Sequence, residues 1–214
     1  DNIYPMSNHL SFEEASSMQL VFMTSYQMLV KCALLKESDT ILIYGGTSGI
    51  GSAAIQIAKD IGCKVISTAG SNAKLNNVLE LGADYAVNHS NSSWYKEVKN
   101  ILNNNQIDVI FEHIGSATWD SSMRLLGRGG RIVTCGATTG YDVNVDLRHL
   151  FSKQQSIIGS TMSDMDTFKK VQEKIDKGRY TPFIDEVYSL SDIKQAHDRI
   201  ERRENIGKVV LSIN

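Results

Sequence analysis

The segment TILIYGGTSGIGSAAIQIAKDIG, residues 40–62, decides the fold of this 214-residue chain. Its first five residues are apolar or β-branched, which predicts a buried strand. Four glycines follow between positions 45 and 51, and apolar residues then recur on one helical face until Gly62 ends the helix. A strand, a glycine turn and an amphipathic helix in this order are typical of the entrance to a dinucleotide-binding βαβ unit.

The glycines indicate a phosphate site, because a pyrophosphate must approach the backbone of such a turn almost to contact. There it faces the N–H groups and the positive dipole end of the helix. The G-x-G-x-x-G motif falls on Gly46, Ser48 and Gly51, so a serine replaces its middle glycine. A tight turn without a ligand is the alternative interpretation, but a simple turn does not require four glycines in seven residues.

The composition excludes several classes of partner. Lysine and arginine number 22 against 24 acidic residues, and no long run of one charge predicts nucleic acid or a membrane surface as a partner. No segment reaches the roughly 18 apolar residues of a membrane span. The cysteines (Cys32, Cys63 and Cys135) are far apart and lack metal-ligand spacing, which indicates a reduced, cytoplasmic protein. Because the chain begins at Asp1 without a methionine, we expect a fragment of a longer protein.

The alternation of strand and helix continues along the chain. Strands are predicted over 40–44, 64–68, 85–88, 107–113, 131–134 and 155–160, and helices over 12–35, 50–61, 73–81, 94–102, 118–126 and 164–177. In the helix over 73–81, Leu75, Val78 and Leu79 are expected to face inward. This pattern predicts an α/β Rossmann fold, a doubly wound six-stranded parallel sheet with helices on both faces.

A C-terminal tail interrupts the alternation. It is predicted as a strand over 186–188, a helix over 191–203 and a strand over 208–213. The chain is therefore divided into an N-terminal segment and helix (1–38), a Rossmann dinucleotide-binding domain (39–182) and a strand–helix–strand tail (183–214).

Four motifs resemble the cofactor domain of the medium-chain dehydrogenase/reductase superfamily. GGTSGIGSAAIQIAK, ELGADYAVNH, GRGGRIVTCGATTG and NIGKVVL occur in its order and spacing, most closely as in quinone oxidoreductases and zinc-type alcohol dehydrogenases. The resemblance runs from residue 12 to residue 214 and has no counterpart to the family's N-terminal GroES-like substrate domain. It implies that the tail normally packs on that missing domain.

Short-chain dehydrogenases have a similar glycine turn, but they act through a Tyr-x-x-x-Lys far downstream. The only such spacing here joins Tyr95 to Lys99, in the helix after the third strand and too early in the chain. We interpret that pair as a solvated helix face and not as a catalytic pair.

The end of the second strand predicts NADPH as the cofactor. In NAD-specific folds an acid at this point holds the ribose 2′-hydroxyl, and a carboxylate would repel a 2′-phosphate. Residues 68–74, TAGSNAK, contain no acid. The resemblance implies that Ala69 takes the acidic position, that Gly70 and Ser71 border the phosphate, and that Lys74 faces it. For Lys74, an ordinary surface lysine in a first helical turn is the alternative.

The resemblance implies further contacts with the cofactor. They lie in the glycine turn, at the strand ends and in flanking elements, at Thr24, Gly46, Thr47, Ser48, Gly49, Ile50, Gly51, His89, His113, Ile114, Gly115, Cys135, Gly136, Ala137, Ser160, Thr161, Asn205 and Lys208. NADPH-using relatives often have a tyrosine at the position of His89. A lone histidine at a strand end, such as His113, more often lies near the cofactor than transfers a proton, so no catalytic group is assigned.

Zinc is not expected in this chain. Zinc-dependent relatives place a cysteine ligand four residues before the threonine matched by Thr24, and that position is Leu20, which cannot ligate a metal. The histidines form neither an H-E-x-x-H motif nor a Cys–His pair. Ligands in the missing domain remain an open alternative.

The sequence thus predicts the nucleotide-binding portion of an NADPH-dependent oxidoreductase that reduces a quinone, an enone or an aldehyde. The alternatives are a catalytically silent NADP-binding module or redox sensor, and a zinc-dependent alcohol dehydrogenase. Alone, the fragment is expected to bind cofactor and to turn over little. An uncharged sheet edge at 155–162 predicts a homodimer through edge-to-edge pairing.

Overall fold

The computed structural model describes residues 3–213 and contains a six-stranded parallel sheet in the order β3-β2-β1-β4-β5-β6. The strands are β1 (Thr40–Ile43), β2 (Lys64–Ala69), β3 (Tyr85–Asn88), β4 (Ile107–Glu112), β5 (Leu126–Thr134) and β6 (Ser156–Gly159). The helices around them are α1 (Phe12–Tyr26), α2 (Gly49–Ile61), α3 (Leu75–Glu80), α4 (Trp94–Leu102), α5 (Ser116–Leu125), α6 (Leu147–Ser152) and α7 (Met165–Asp176). The predicted Rossmann fold is confirmed.

Both faces of the sheet are covered by helices, which explains why the central strands are continuously apolar. On β1, Ile41 and Ile43 belong to a hydrophobic cluster formed with α1, α2 and α7. Leu42 and the following Tyr44 point to the opposite face and belong to a second cluster with α4 and α5. The alternation of side chains along one strand therefore anchors both helical layers.

The strand order reverses between β1 and β4, which are neighbours in the sheet although two strands (β2 and β3) and three α-helices (α2, α3 and α4) separate them in the chain. The chain segments that follow β1 and β4 run to opposite sides of this point, so a crevice opens at the carboxyl ends of the two strands. In open α/β sheets this crevice is the usual ligand site.

The tail folds as predicted, into β7 (Ile184–Ser189), α8 (Ile193–Glu201) and β8 (Lys208–Ser212). Its two strands pair in parallel and form a sheet of their own, and both strands contact α1. The division of the chain into three parts stays a prediction, as does the packing of the tail on another domain.

Several element details differ from the prediction. The first helix continues beyond α1 as a π-helix, Gln27–Cys32, and ends before residue 35. The short helix α6 was not predicted; Asp146 caps it by accepting the N–H of Arg148. Leu79 is 44% exposed and not inward, because α3 has only six residues and turns Val78 alone fully into the core. Between residues 3 and 213, no helix is both long and apolar enough to cross a membrane.

Candidate functional site

The glycine turn is packed so closely that several of its glycines cannot carry a side chain. Gly45 has a φ of +60°, a conformation that L side chains rarely adopt. A Cβ on Gly51 would collide with the carbonyl oxygen of Gly45, and a Cβ on Gly46 with the hydroxyl of Ser67. Ser48 caps α2 by accepting the N–H of Gly51 at 3.0 Å. These glycines are therefore required to join β1 to α2, independently of any ligand.

The first turn of α2 leaves donors unused. Within residues 3–213, the N–H groups of Gly49 and Ile50 have no hydrogen-bond partner, whereas Ser48 satisfies the next two N–H groups. Lys208 lies against this turn, since a Cβ on Gly49 would stand 2.6 Å from Cδ of that lysine. Unpaired N–H groups, the positive end of the helix dipole and a lysine together favour an anion here.

A first cleft of about 420 Å³ opens beside this turn, at the end of β2. Its walls are Gly45, Thr47, Ser48, Gly70, Ser71, Lys74, His89, Ser90, Arg202, Arg203 and Asn205. Three of these residues are cations and none is an acid, so the cleft attracts negative charge. Ala69 is fully buried in the core, and it is Gly70 and Ser71 that present the end of β2 to the cleft.

Lys74 spans the first cleft, from the segment after β2 to the residues that follow α8. Its Nζ donates to the carbonyl oxygens of Arg203 at 2.6 Å and Asn205 at 2.8 Å. Burial lowers the pKa of Lys74, and the negative charge of Asp185 opposes that shift. Because an ammonium group has three N–H donors, one remains for a ligand.

His89 borders the same cleft at the end of β3. Its Nδ1 lies 3.0 Å from Oγ1 of Thr68, which also accepts the N–H of Gly45 at 3.2 Å. Burial, and then the charge of Arg203, lowers the pKa of His89. The imidazole is therefore neutral near pH 7 and adds no charge to the cleft.

A second cleft of about 380 Å³ lies beside the starts of α4 and α5. Its walls are Tyr44, His89, Trp94, Ile114, Ala117, Thr118, Thr138, Thr139 and Arg203. The rings of Tyr44 and Trp94 meet edge-on, with their centroids 6.0 Å apart. Arg203 borders both the first and the second cleft, so the two adjoin at its side chain.

The buried carboxylate of Glu112 holds residues that line the second cleft. Glu112, the last residue of β4, is fully buried. Its donors are the N–H groups of Ile114 and Gly115 and the hydroxyls of Thr118 and Ser122. Oγ of Ser122 also lies 3.0 Å from the hydroxyl of Tyr44, whose pKa is raised by burial and by the nearby charge of Glu112. With four donors around it, Glu112 fixes the turn from β4 into α5 and has no spare role as a base.

A third cleft of about 420 Å³ lies above the ends of β1 and β4, next to the tail. Its walls are Val21, Ser48, Gly49, Ile50, His113, Ile114, Thr138, Ile200, Asn205, Gly207, Lys208 and Val209. Nε2 of His113 donates to the carbonyl oxygen of Tyr44 at 3.0 Å, and burial lowers the pKa of this histidine. A neutral imidazole whose proton is held by a backbone carbonyl is poorly suited to donate that proton to a substrate.

Most of the predicted site residues meet at these three clefts. Those in the walls are Thr47, Ser48, Gly49, Ile50, Gly70, Ser71, Lys74, His89, His113, Ile114, Asn205 and Lys208. Gly46 and Gly51 lie buried within the turn. Thr24 is buried in α1, one turn from Val21, which does line the third cleft.

The residues predicted at the ends of β5 and β6 are not among these walls. Cys135, Gly136 and Ala137 follow β5 and adjoin the end of β4. Ser160 follows β6, and its hydroxyl is buried without a hydrogen-bond partner in the described part of the chain, whereas Thr161 is exposed. Their contact with a cofactor stays a prediction.

Two arginines of the first cleft, Arg202 and Arg203, were not identified from the sequence. They follow α8 directly and reach the cleft only because the tail folds back on the glycine turn. The one available signal is the pair of adjacent arginines shortly before Asn205, which falls within the helix predicted over 191–203.

Comparison with known proteins agrees with this geometry. The sequence model of the zinc-binding dehydrogenase family matches residues 49–177. Crotonyl-CoA reductase of Streptomyces avermitilis is 31% identical over 98% of this chain and 51% of its own length. The quinone oxidoreductase of Homo sapiens is 28% identical over 98% of this chain and 65% of its own length. The chain thus spans between half and two thirds of the length of these relatives.

Solved structures show the same similarity. The crystal structure of an NAD-dependent alcohol dehydrogenase superposes with a TM-score of 0.92 and 36% identity, over 99% of this chain and 62% of the other. The 2-octenoyl-CoA carboxylase reductase CinF, solved with NADP and 2-octenoyl-CoA, superposes with a TM-score of 0.91 and 28% identity, over 98% and 52%. With its strand order and glycine turn, the chain belongs to the zinc-binding dehydrogenase family, as a cofactor-binding part of the medium-chain dehydrogenases/reductases.

Proposed function

We propose that this chain is the nucleotide-binding portion of an NADPH-dependent oxidoreductase that transfers hydride to a quinone, an enone or an aldehyde. One observation carries the proposal: the first cleft, at the end of β2, holds three cations and no acid. A 2′-phosphate would find Ser71, Lys74 and Arg203 there as donors. One of the two solved structures is of an NAD-dependent enzyme and the other contains NADP, so the charge of this chain's own cleft is what supports NADPH.

The three clefts fit the parts of a dinucleotide. The first would hold the phosphorylated ribose, the ring-lined second the adenine, and the third the nicotinamide. The N–H groups of Gly49 and Ile50, with Lys208 beside them, would hold the pyrophosphate. When bound, the cofactor supplies the hydride. The residues of this chain bind and orient it, and the neutral His113 is not assigned a proton transfer.

Catalysis requires more than these clefts. A substrate must lie within about 3–3.5 Å of the hydride carbon, and water must be excluded. The third cleft lies beside the tail, and the longer relatives have additional chain that is not represented here. We therefore expect the chain to bind cofactor and to turn over quinones slowly or not at all by itself.

Titration calorimetry of the purified chain with NADPH and with NADH tests the proposal. NADPH should bind at least about tenfold more tightly, because charge-assisted hydrogen bonds to one additional phosphate contribute about 1.5–3 kcal/mol. Equal or tighter binding of NADH would contradict it. A catalytically silent NADP-binding module would give the same binding result, and NADPH oxidation by a chain that includes a substrate domain separates the two.

A zinc-dependent alcohol dehydrogenase is the second candidate, favoured by the 36% identity to a solved alcohol dehydrogenase. Leu20, at the position of the cysteine ligand, is 57% exposed on α1. Among residues 3–213, no three His, Cys, Asp or Glu side chains are grouped so that they could hold a metal. We propose that residues of this chain hold no zinc, and stoichiometric zinc in the purified chain by mass spectrometry would refute this.

A homodimer through β6 is a further part of the proposal. In the described part of the chain β6 pairs only with β5, and its Ile157 is 38% exposed on an edge that carries no charge from 155 to 162. Ile157→Lys should convert a dimer to a monomer in light scattering at tens of micromolar, because a buried lysine at a paired edge is costly. Leu190→Lys, at a leucine of the tail that is 46% exposed, is the control. A monomeric unmodified chain would contradict the proposal.

The cytoplasm is the proposed compartment. Cys32, Cys63 and Cys135 are all free thiols in the structure, as expected of a reducing environment. A formal net charge of −2 recommends neither nucleic acid nor an anionic membrane as a partner.

A further inference from the structure

We propose that Asp185 is a positioning residue for the first cleft: it fixes the loop of residues 202–206, which holds Lys74 and Arg203 where a 2′-phosphate would bind. The inference rests on the proposed NADPH site. It adds a residue on β7 that lines none of the three clefts.

Asp185, on β7, connects this strand to α8 and to the loop before β8. Its carboxylate accepts Nη2 of Arg199, on α8, at 3.0 Å and Nε of the same side chain at 2.5 Å. It also accepts the N–H of Ile206, in the loop before β8, at 3.0 Å. The Asp185 side chain is only 6% exposed. A buried carboxylate with these donors holds the end of α8 and the loop in one arrangement.

The loop in turn holds Lys74. The carbonyl oxygens of Arg203 and Asn205 accept both hydrogen bonds from the Lys74 ammonium, and these residues lie three positions and one position before Ile206. If Ile206 moves, the carbonyl of Asn205 moves with it, whereas Arg203 keeps the bond from its N–H to the carbonyl oxygen of Ile200 at the end of α8. Lys74 then loses a contact that keeps its remaining N–H donor at the cleft.

Asp185 also acts on Lys74 through its charge. Burial lowers the pKa of Lys74, and the carboxylate of Asp185 is the first charge that opposes this shift. The pKa of Asp185 itself is lowered, because the bonds from Arg199 and Ile206 outweigh the cost of its burial. The carboxylate therefore supports the position and the positive charge of the lysine at once.

A second anchor limits what Asp185 controls. The N–H of Gly207 donates to the carbonyl oxygen of Thr47 at 2.7 Å and fastens β8 to the glycine turn directly. Gly207 has a φ of +99°, and a Cβ there would collide with the carbonyl oxygen of Phe183. Loss of Asp185 should therefore loosen 202–206 and leave the glycine turn and β8 in place.

Asp185→Asn tests the proposal, with Asp60→Asn as the matched control. Asp60 is another buried aspartate, 7% exposed, and accepts bonds from Lys174 and Arg179 at the end of α2 remote from the clefts. The probes are adenosine 2′,5′-bisphosphate and adenosine 5′-monophosphate, which differ only in the 2′-phosphate. Calorimetry measures binding, and amide hydrogen exchange measures the opening of 202–206 in the free chain.

We expect Asp185→Asn to weaken bisphosphate binding about tenfold, the cost of displacing one charged hydrogen bond, with a smaller effect on the monophosphate. Exchange should accelerate at 202–206 and not at the glycine turn. Asp60→Asn should leave both affinities unchanged even if it costs as much thermal stability. Arg199→Lys keeps the charge but loses the bidentate contact with Asp185, so it should give an intermediate loss of bisphosphate binding. This variant takes the place of Asp185→Asn if the latter does not fold.

Unchanged selectivity for the bisphosphate in a folded Asp185→Asn would overturn the positioning role. An equal loss in Asp60→Asn would overturn it as well, because stability alone would then explain the effect. If the unmodified chain binds the bisphosphate but not NADPH, the proposed function fails and the positioning role is still decided by these variants. If it binds neither compound, both proposals are overturned.

Discussion

The two walls of the first cleft are built by different means. One wall, the glycine turn with the end of β2, is held by its own backbone N–H groups: Gly45 donates to the hydroxyl of Thr68 and Gly46 to its carbonyl oxygen. Cβ atoms are excluded at three glycines of this wall. The other wall, residues 202–206, begins with backbone hydrogen bonds from residues 202–204 to the last turn of α8. Beyond these bonds it is fixed by side chains, Lys74 from across the cleft and Asp185 from β7.

Because the two walls are built differently, substitutions in one should affect the fold and substitutions in the other should affect ligand specificity. A substitution in the glycine wall disturbs the packing of α2 on β1 and therefore the whole sheet. A substitution in the 202–206 wall changes the charge and shape offered to a ligand and leaves the core intact. We infer that the first wall makes a dinucleotide site possible and that the second wall, with Ser71 opposite, selects the phosphorylated cofactor.

Gly51→Val should give the largest effect. Its Cβ would collide with the carbonyl oxygen of Gly45, so the turn must open and α2 must move away from β1. We expect a loss of more than about 3 kcal/mol in the free energy of unfolding, together with loss of measurable NADPH binding. Urea denaturation and NADPH fluorescence measure the two quantities.

Gly159→Val is the control for this change. Gly159 ends β6, its φ is not positive, and a Cβ built there meets nothing within 4 Å. The same valine should cost less than about 1 kcal/mol at that position and leave NADPH binding unaffected. If both variants behave alike, the glycine wall is not packed as described.

The glycine wall was predictable because its signal is local. The strand, turn and helix of residues 40–62 occupy one stretch of chain, and the strand boundaries at 85–88 were confirmed to the residue. The absence of an acid after β2 could likewise be observed directly, although the structure places Ala69 in the core and assigns the cleft surface to Ser71. Local pattern determines local geometry, and the turn chemistry follows from it.

The 202–206 wall could not be predicted in the same way. Lys208 and Asn205 were placed at the cofactor by resemblance, but nothing in the pattern of α8 indicates that Arg203 turns toward the end of β2. Its position depends on its own left-handed backbone conformation and on the buried ion pair of Asp185 with Arg199. It also depends on the carbonyl of Thr47, which holds the following Gly207 at the glycine turn. Such long-range contacts leave no periodic signal in a single sequence.

Ser71→Asp should have the second largest effect. Ser71 lines the first cleft, so the new carboxylate would face the 2′-phosphate and compete for Lys74. We expect NADPH binding to weaken by about 2 kcal/mol, roughly thirtyfold, and NADH binding to change much less. Ser71→Asn, which has the same shape and no charge, is the control. Calorimetry with both cofactors measures the ratio, and an unchanged ratio would place the 2′-phosphate elsewhere.

Arg203→Gly should give the smallest loss of binding and the clearest separation of binding from stability. Arg203 has a φ of +57°, in the position after a helix where glycine is the usual residue. Within residues 3–213 its guanidinium makes no hydrogen bond or ion pair, so the fold gains no evident stability from it. An exposed cation kept at a strained position beside two clefts is best explained by a ligand.

Glycine at position 203 removes the strain, so the free energy of unfolding should stay equal or rise by up to about 1 kcal/mol. NADPH binding should nevertheless weaken about five- to tenfold, because one charged contact with phosphate is lost, while NADH binding stays nearly constant. Gln154→Gly, at an exposed residue with a φ of +54° away from the three clefts, should relieve a similar strain without any change in binding. A destabilised Arg203→Gly variant with unchanged cofactor preference would show that the arginine serves the tail and not the cleft. We expect the opposite pattern: weaker NADPH binding in a fold that is at least as stable. This result would show that the 202–206 wall selects the ligand independently of the core.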